Sequence, residues 1–175
     1  MVGAVPERVR RAVALLDLRG DEVVLEIGPG PGAAVELVLA RHPGVRYVAL
    51  DRSATAVART TERNRAAVDD GRLAVRQGDI ADPDLADTLG GPFDVAFAVN
   101  VNVFWTRAAR TEASALAALL VPGGALWLVY ETPGGDDGRV VDGVRASLAV
   151  PGLGAPLVVR DRAVAVGARR SPAGW

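Results

Sequence analysis

No cysteine occurs among the 175 residues, and lysine is absent too. The first absence rules out disulfides, thiolate metal sites and a cysteine nucleophile. With His42 as the single histidine, little is left for a zinc site of the usual ligand types, and no metal is expected. Neither sign of charge dominates: the net charge is −1, and no block of one sign stands out. Nonspecific attraction to nucleic acid or an anionic membrane is therefore not favoured, and no nucleic-acid partner is expected. No apolar run approaches the length of a membrane span, and no signal-peptide core follows Met1. These absences point to a soluble cytoplasmic protein. All basic residues are arginine, and with the load of alanine, glycine and valine this points to a GC-rich bacterial genome. The length suits one domain able to bury a core without staples: an N-terminal helix in 1–20, a core in 21–168 and a frayed tail in 169–175.

What is present is organised around Val23-Val24-Leu25-Glu26-Ile27-Gly28-Pro29-Gly30-Pro31-Gly32. The apolar, β-branched run from Val23 to Ile27 reads as a strand buried on both faces, as in a parallel sheet. The glycines supply φ angles that other residues avoid and leave no Cβ between backbone and ligand. Pro31 suits the first turn of a helix. Val35, Val38 and Leu39 then follow at helical spacing. Strand, glycine turn and helix make a nucleotide-binding βα unit. The residues also satisfy a loose dinucleotide fingerprint, Gly28-x-Gly30-x-x-Ala33 with Asp51 downstream, which keeps an NAD-dependent oxidoreductase as an alternative. Against it, a carboxylate at Glu26 would repel a pyrophosphate and attract an ammonium.

The rest of the chain alternates strands with helical patterns. Pro6 to Leu18 reads as a helix, lying over the ligand pocket or only covering the sheet. Arg46 to Leu50 is a second strand ending at Asp51, and Ala54 to Val68 a helix that Ser53 can cap, leaving Asp51 free. His42, beside Pro43-Gly44, reads as a solvated helix-end residue. Leu73 to Arg76 is a third strand leading into Gln77-Gly78-Asp79-Ile80. Asp79 there is either a ligand acceptor or an ordinary Asx turn. Phe93 to Val99 is a fourth strand, running into the loop Asn100-Val101-Asn102-Val103-Phe104-Trp105. Loops at that end of an open α/β sheet carry function, although Phe104 and Trp105 could instead pack under the next helix. Thr106 to Leu120 reads as a helix, Pro122-Gly123 as a type II turn and Ala125 to Tyr130 as a fifth strand ending at Glu131. Asp136 to Ala149 reads as a helix with Asp136 and Asp137 in its first turn. The strands Leu157 to Val159 and Ala163 to Val166 are separated by only Arg160-Asp161-Arg162, too short for a crossover, so they are antiparallel.

Four stretches together resemble class I S-adenosylmethionine-dependent methyltransferases: Glu26-x-Gly28-x-Gly30-x-Gly32, Asp51, Gly78-Asp79-Ile80 and Leu120-Val121-Pro122-Gly123-Gly124. The resemblance implies a three-layer αβα fold, with a doubly wound seven-stranded, mostly parallel sheet in the order 3-2-1-4-5-7-6 and an antiparallel last strand. It implies S-adenosyl-L-methionine as cofactor. Gly28, Gly30 and Gly32 would contact its methionine part and Glu26 its ammonium. Asp51, with Arg52 beside it, would take the ribose, Asp79 and Ile80 the adenine, and Asn100 the methionine edge. The reaction implied is in-line displacement at the sulfonium methyl, in which the protein mainly positions the acceptor. The aromatics and amides near the strand ends suit a small-molecule acceptor, with Asn102, Trp105 and Tyr130 as binding residues and Glu131 as anchor or base. The run Asn100-Val101-Asn102-Val103 lacks the Pro-Pro-aromatic sequence of amino-methylating nucleic-acid enzymes. A regulatory or subunit protein that binds the cofactor without turnover is the alternative, and the reading leaves room for a homodimer.

Overall fold

The computed structural model describes residues 5–132 and 137–172. Its strands are β1 (Val23–Ile27), β2 (Arg46–Asp51), β3 (Leu73–Gln77), β4 (Phe93–Val99), β5 (Leu120–Tyr130), β6 (Leu157–Arg160) and β7 (Val164–Arg169). They form a single sheet in the order β3-β2-β1-β4-β5-β7-β6, with β7 antiparallel to both β5 and β6 and the other pairings parallel. The order and the antiparallel hairpin are those expected from the sequence. The short link after β6 makes that hairpin obligatory, because it leaves no chain for a crossover.

Side chains alternate across β1, and the alternation assigns the two helical layers. Val24 joins an apolar cluster with α1 (Glu7–Leu15) and α2 (Ala33–Arg41). Leu25 and Ile27 join another with α5 (Leu85–Leu89), α6 (Val103–Thr106), α7 (Arg110–Leu119) and α8 (Gly138–Leu148). Helix α1 buries Val9, Ala12 and Val13 against the sheet. It is strapped to the hairpin by Arg11, which donates to the Asp161 carboxylate at 2.5 Å and to the Asp161 carbonyl at 2.8 Å. Helix α1 therefore covers the sheet. Among the described residues no helix is long and apolar enough to cross a membrane.

Several boundaries differ from the sequence reading, each for a local reason. The helix expected over 54–68 is broken into α3 (Ala54–Arg63) and α4 (Arg65–Asp69). At the break, Asn64 turns its Nδ2 to the carbonyls of Thr60 (3.0 Å) and Gly32 (3.1 Å). A side-chain amide that bonds main-chain carbonyls competes with the helix ladder. The helix expected over 106–120 starts only at Arg110, as α7, and the separate short α6 occupies the loop before it. The Ser147 hydroxyl sits in the gap, donating to the Phe104 carbonyl at 2.7 Å and accepting the Ala109 N–H at 2.9 Å. Phe104 packs fully buried, as the plainer reading of that loop allowed. Helix α5 went unpredicted, although Leu85 and Leu89, one turn apart, are both buried. Strand β5 begins at Leu120: Phe93 pairs with Leu120 but Val95 with Ala125, so the Pro122-Gly123 segment bulges out of the ladder, with Gly123 at φ +81°.

At the C-terminal end, Asp137 does not serve α8 by a side-chain cap; its carboxylate accepts from Arg160 at 2.7 Å, and Asp136 lies outside the described residues. The expected fraying is corrected for Arg169 to Ser171, while 173–175 lie outside the described residues. Arg170 exchanges backbone bonds with Gly123 and Gly124, and Ser171 N–H donates to Gly152 O at 2.9 Å. At the far edge β6 is four residues long, and its Leu157 is the exposed large hydrophobic of the described surface, at 60 %.

Candidate functional site

The parallel strands end level with one another, and one hydrogen bond beyond each ladder fixes that level. Gly28 N–H donates to Leu50 O (2.8 Å), Gly78 N–H to Asp51 O (3.1 Å) and Asn100 N–H to Val129 O (2.8 Å). Between β1 and β4 the strand order reverses, and a crevice opens there in any doubly wound sheet. A cleft of about 440 Å³ occupies that place. Its lining includes Gly28, Asp51, Arg52, Asp79, Ile80, Asn100 and Asn102, together with Val101, Arg107 and Glu112. Seven residues singled out in the sequence thus converge from four strand ends.

The glycine turn divides into two functions. Gly28, Gly30 and Gly32 all have positive φ, at 68°, 56° and 74°. A Cβ on Gly28 would come within 2.8 Å of Val101, so Gly28 lets the loops after β1 and β4 close on each other. A Cβ on Gly30 would meet nothing within 4 Å, which leaves that main chain open to a ligand. Gly32 is different. A Cβ there would lie 2.6 Å from Asn64 Nδ2 and 3.1 Å from Thr60 Cα, so its smallness admits α3 rather than a ligand. Gly32 also lies outside the cleft lining. Thr60 Oγ1 donates to Gly30 O at 2.9 Å and Asn64 to Gly32 O, stapling the turn from behind. Neither Thr60 nor Asn64 was singled out in the sequence, where both sit in a run of polar residues resembling a solvated face.

Glu26 is also placed differently from the expectation. It lies outside the cleft lining, fully buried on the α2 side of the sheet, where its carboxylate accepts from the Tyr47 hydroxyl at 2.8 Å. Burial pushes its pKa from 4.5 up to about 7; the Tyr47 bond opposes that shift and the nearby Asp51 charge adds to it. Asp51 accepts Ser53 N–H through Oδ1 at 2.9 Å, so it is not wholly free of α3 as expected, but Oδ2 has no hydrogen bond among the described residues. Asp79 combines both readings: Oδ1 closes an Asx turn with Ala81 N–H at 2.9 Å, and the residue lines the cleft. Asn100 is held at φ +57°, a strained value for a non-glycine residue, and its Oδ1 accepts Glu131 N–H at 3.0 Å.

The expected acceptor residues do not assemble. Tyr130 is 3 % exposed, and its hydroxyl donates to Val101 O at 2.8 Å. Burial raises its pKa further above the ordinary phenol range. It supports the β4 loop from beneath instead of meeting a ligand. Glu131 lies outside the lining and pairs with Arg8 at 3.3 Å across half-exposed side chains. Trp105 also lies outside it, packed toward α8 with its Nε1 donating to Asn102 Oδ1 at 3.1 Å and Arg139 5.6 Å above its ring. Asn102 alone of this group reaches the cleft. Conversely, Arg107 and the buried, ion-paired Glu112 line it without having been singled out. Reading 106–120 as one helix put Glu112 in mid-helix. Its spacing from Ala109 and Leu116, three and four residues away, was the signal that it borders the apolar stripe.

A methyltransferase-domain family profile matches residues 25–126, more than half of the chain, and the chain belongs to that family. Its sheet order and antiparallel β7 are those of class I S-adenosylmethionine-dependent methyltransferases. It is 38 % identical over 93 residues to a protein of Methanospirillum hungatei named "Probable ribosomal RNA small subunit methyltransferase A", covering 53 % of this chain and 33 % of that one. It is 34 % identical over 96 residues to the ribosomal RNA small subunit methyltransferase A of Caulobacter vibrioides, covering 54 % and 36 %. The chain spans about a third of the length of these curated relatives. Among solved structures it is similar in fold to an O-methyltransferase family protein from Burkholderia thailandensis, with TM-score 0.67 and 20 % identity over 94 % of this chain and 57 % of that one. The relatives' names overturn the expectation that nucleic acid has no part. Net charge averages over the whole surface, whereas the cleft mouth carries the exposed arginines Arg52 and Arg107.

Proposed function

We propose that this chain binds S-adenosylmethionine in the strand-end cleft and transfers its methyl group to a nucleobase of a structured RNA, admitted beside Asn102. The convergence of Gly28, Asp51, Asp79 and Asn100 from four strand ends on one cleft carries the cofactor half of this reading. The lining fits the group. Gly28 brings bare main chain to the cleft, Asp51 Oδ2 is available for vicinal hydroxyls, and Ile80 offers an apolar surface beside Asp79 for a purine; Gly30, just outside the lining, leaves open space beside the turn. Asn100, fixed by Glu131 N–H, would meet the methionine edge, and Arg52 would flank the ribose. When bound, S-adenosylmethionine supplies an electrophilic sulfonium methyl, which leaves binding, orientation and exclusion of water to the protein.

The acceptor half rests on the ribosomal-RNA substrates in the relatives' names. Asn102 supports it: Trp105 occupies Oδ1, and the amide N–H groups remain to donate to a ring nitrogen or carbonyl. Arg52 and Arg139 are exposed and suited to phosphates, whereas Arg107 is engaged by Glu112. The test is calorimetric titration with S-adenosylhomocysteine and with NAD, then labelled methyl transfer to small-subunit ribosomal RNA and to a panel of phenols, amines and carboxylates. Binding of S-adenosylhomocysteine without NAD, and label in RNA, are expected. Failure to bind S-adenosylhomocysteine overturns the cofactor assignment; label only in small molecules overturns the acceptor.

A further inference from the structure

Helix α7 begins with Ala109 as N-cap, which makes Glu112 its third helical residue. A glutamate there ordinarily turns back to the N–H of the N-cap, satisfying one of the donors a helix start leaves open. In this chain the Ser147 hydroxyl has taken that N–H. Glu112 points elsewhere. It is 3 % exposed, pairs with Arg107 through Oε1 and lines the cleft. Its other oxygen, Oε2, is the one buried side-chain nitrogen or oxygen among the described residues that has no hydrogen-bond partner. An unpartnered carboxylate oxygen removed from water costs free energy, and such a group in a binding cleft is poised for a donor the ligand brings.

The position of α7 says which part of a ligand that is. Ile80 belongs to the apolar cluster that also holds Ala109, one turn before Glu112, and Ala113, next to it. Helix α5, which follows the Asp79–Ala81 turn, packs on α7. Glu112 thus lines the same cleft as Asp79 and Ile80, on the helix that packs against the element following their turn. Resting on the cofactor reading above, we propose that Glu112 reads the exocyclic amino group of the purine, Oε2 accepting one of its two N–H bonds. Arg107, paired with Oε1, holds the carboxylate in orientation. A carboxylate accepts from an amine and repels a carbonyl oxygen, so the pair selects an aminopurine over an oxopurine.

The test measures binding, not turnover: calorimetric titration of S-adenosylhomocysteine, and of its analogue with hydrogen in place of the 6-amino group, against the parent, Glu112→Ala and Glu112→Gln. Denaturation curves confirm that each is folded. The parent should bind the analogue more weakly than S-adenosylhomocysteine. Glu112→Ala should weaken S-adenosylhomocysteine by about tenfold to a hundredfold, as for a hydrogen bond to a charged group. Against the analogue it should change affinity less than about threefold. Glu112→Gln, whose single carbonyl oxygen can serve Arg107 or the ligand, should fall between. Equal loss for both ligands would show that Glu112 only shapes the cleft, and parental affinity in both variants would remove it from the site. No binding by the parent itself would overturn the cofactor reading instead.

Discussion

The strand ends on the two sides of β4 make different use of polar residues. On the β1–β2–β3 side, Asp51 and Asp79 each spend one oxygen on a turn N–H and keep the other for the cleft. On the β5 side, Tyr130, Glu131 and Trp105 are all spoken for by Val101, Arg8 and Asn102. In the first group Asp51 is the last residue of β2 and Asp79 lies two residues past β3, each in a tight turn where local geometry fixes the side chain. The second depends on which distant element arrives to meet it. Position along a strand therefore identifies a residue that reaches the cleft far better when its geometry is local than when it depends on a distant element.

The sharpest test of this contrast lies inside the glycine turn. Gly32→Val should lower unfolding stability by about 3 kcal/mol or more, through overpacking against α3 and a strained positive φ, as read by denaturant midpoint. Gly30→Val, with open space around it, should cost about 1 kcal/mol yet abolish S-adenosylhomocysteine binding. Equal destabilisation by the two would erase the distinction between a glycine that admits a helix and one that admits a ligand.

Next in size is the pH dependence of the acid hidden under the turn. The folded state holds the Glu26 proton up to about 7, whereas the unfolded chain releases it near 4.5. The folded state therefore binds more protons across that window, and stability falls as pH rises. The contribution is complete below 4.5 and lost through 7, amounting to on the order of 3 kcal/mol. The difference in denaturation midpoint between parent and Glu26→Gln, followed from pH 4 to about 8, should show this slope in the parent alone.

On the cofactor side, Asp51→Ala should weaken S-adenosylhomocysteine by about 1.5–3 kcal/mol in calorimetry, the loss expected for charge-assisted hydrogen bonds. On the other side, Tyr130→Phe should cost about 1 kcal/mol of stability, because Val101 O loses its donor, without a selective effect on acceptor KM. The smallest effect is reserved for Glu131→Gln, whose half-exposed pair with Arg8 should be worth less than about 0.5 kcal/mol and leave methyl transfer intact. A large fall in turnover there would restore Glu131 as a reacting group.

The sheet was legible because its determinants are local: an apolar run for β1, and a three-residue link that forces the β6–β7 hairpin. Gly28, Asp51, Asp79 and Asn100 were legible as strand ends that the topology gathers into one crevice. The breaks at Asn64 and around Ser147 were not, since each is a side chain whose partner lies on another element. Glu112 was hidden for the same reason. Only after Ser147 claims the Ala109 N–H does the glutamate lose its routine job, and nothing near position 112 in the chain announces that.

The two rims of the sheet have a bearing on behaviour at high concentration. Strand β3, on one rim, is five residues long and carries exposed Arg76 and Gln77. Strand β6, on the other, is four residues long, follows Pro156 and ends at Arg160. Short outer strands, a proline at the entry and cations along the rim are the means by which natural sheets discourage intermolecular strand addition. The solitary apolar side chain of Leu157 is too small a patch to reverse this. The fold therefore keeps a long, reactive row of strand ends for its ligands while offering neighbouring molecules almost no template on which to polymerise.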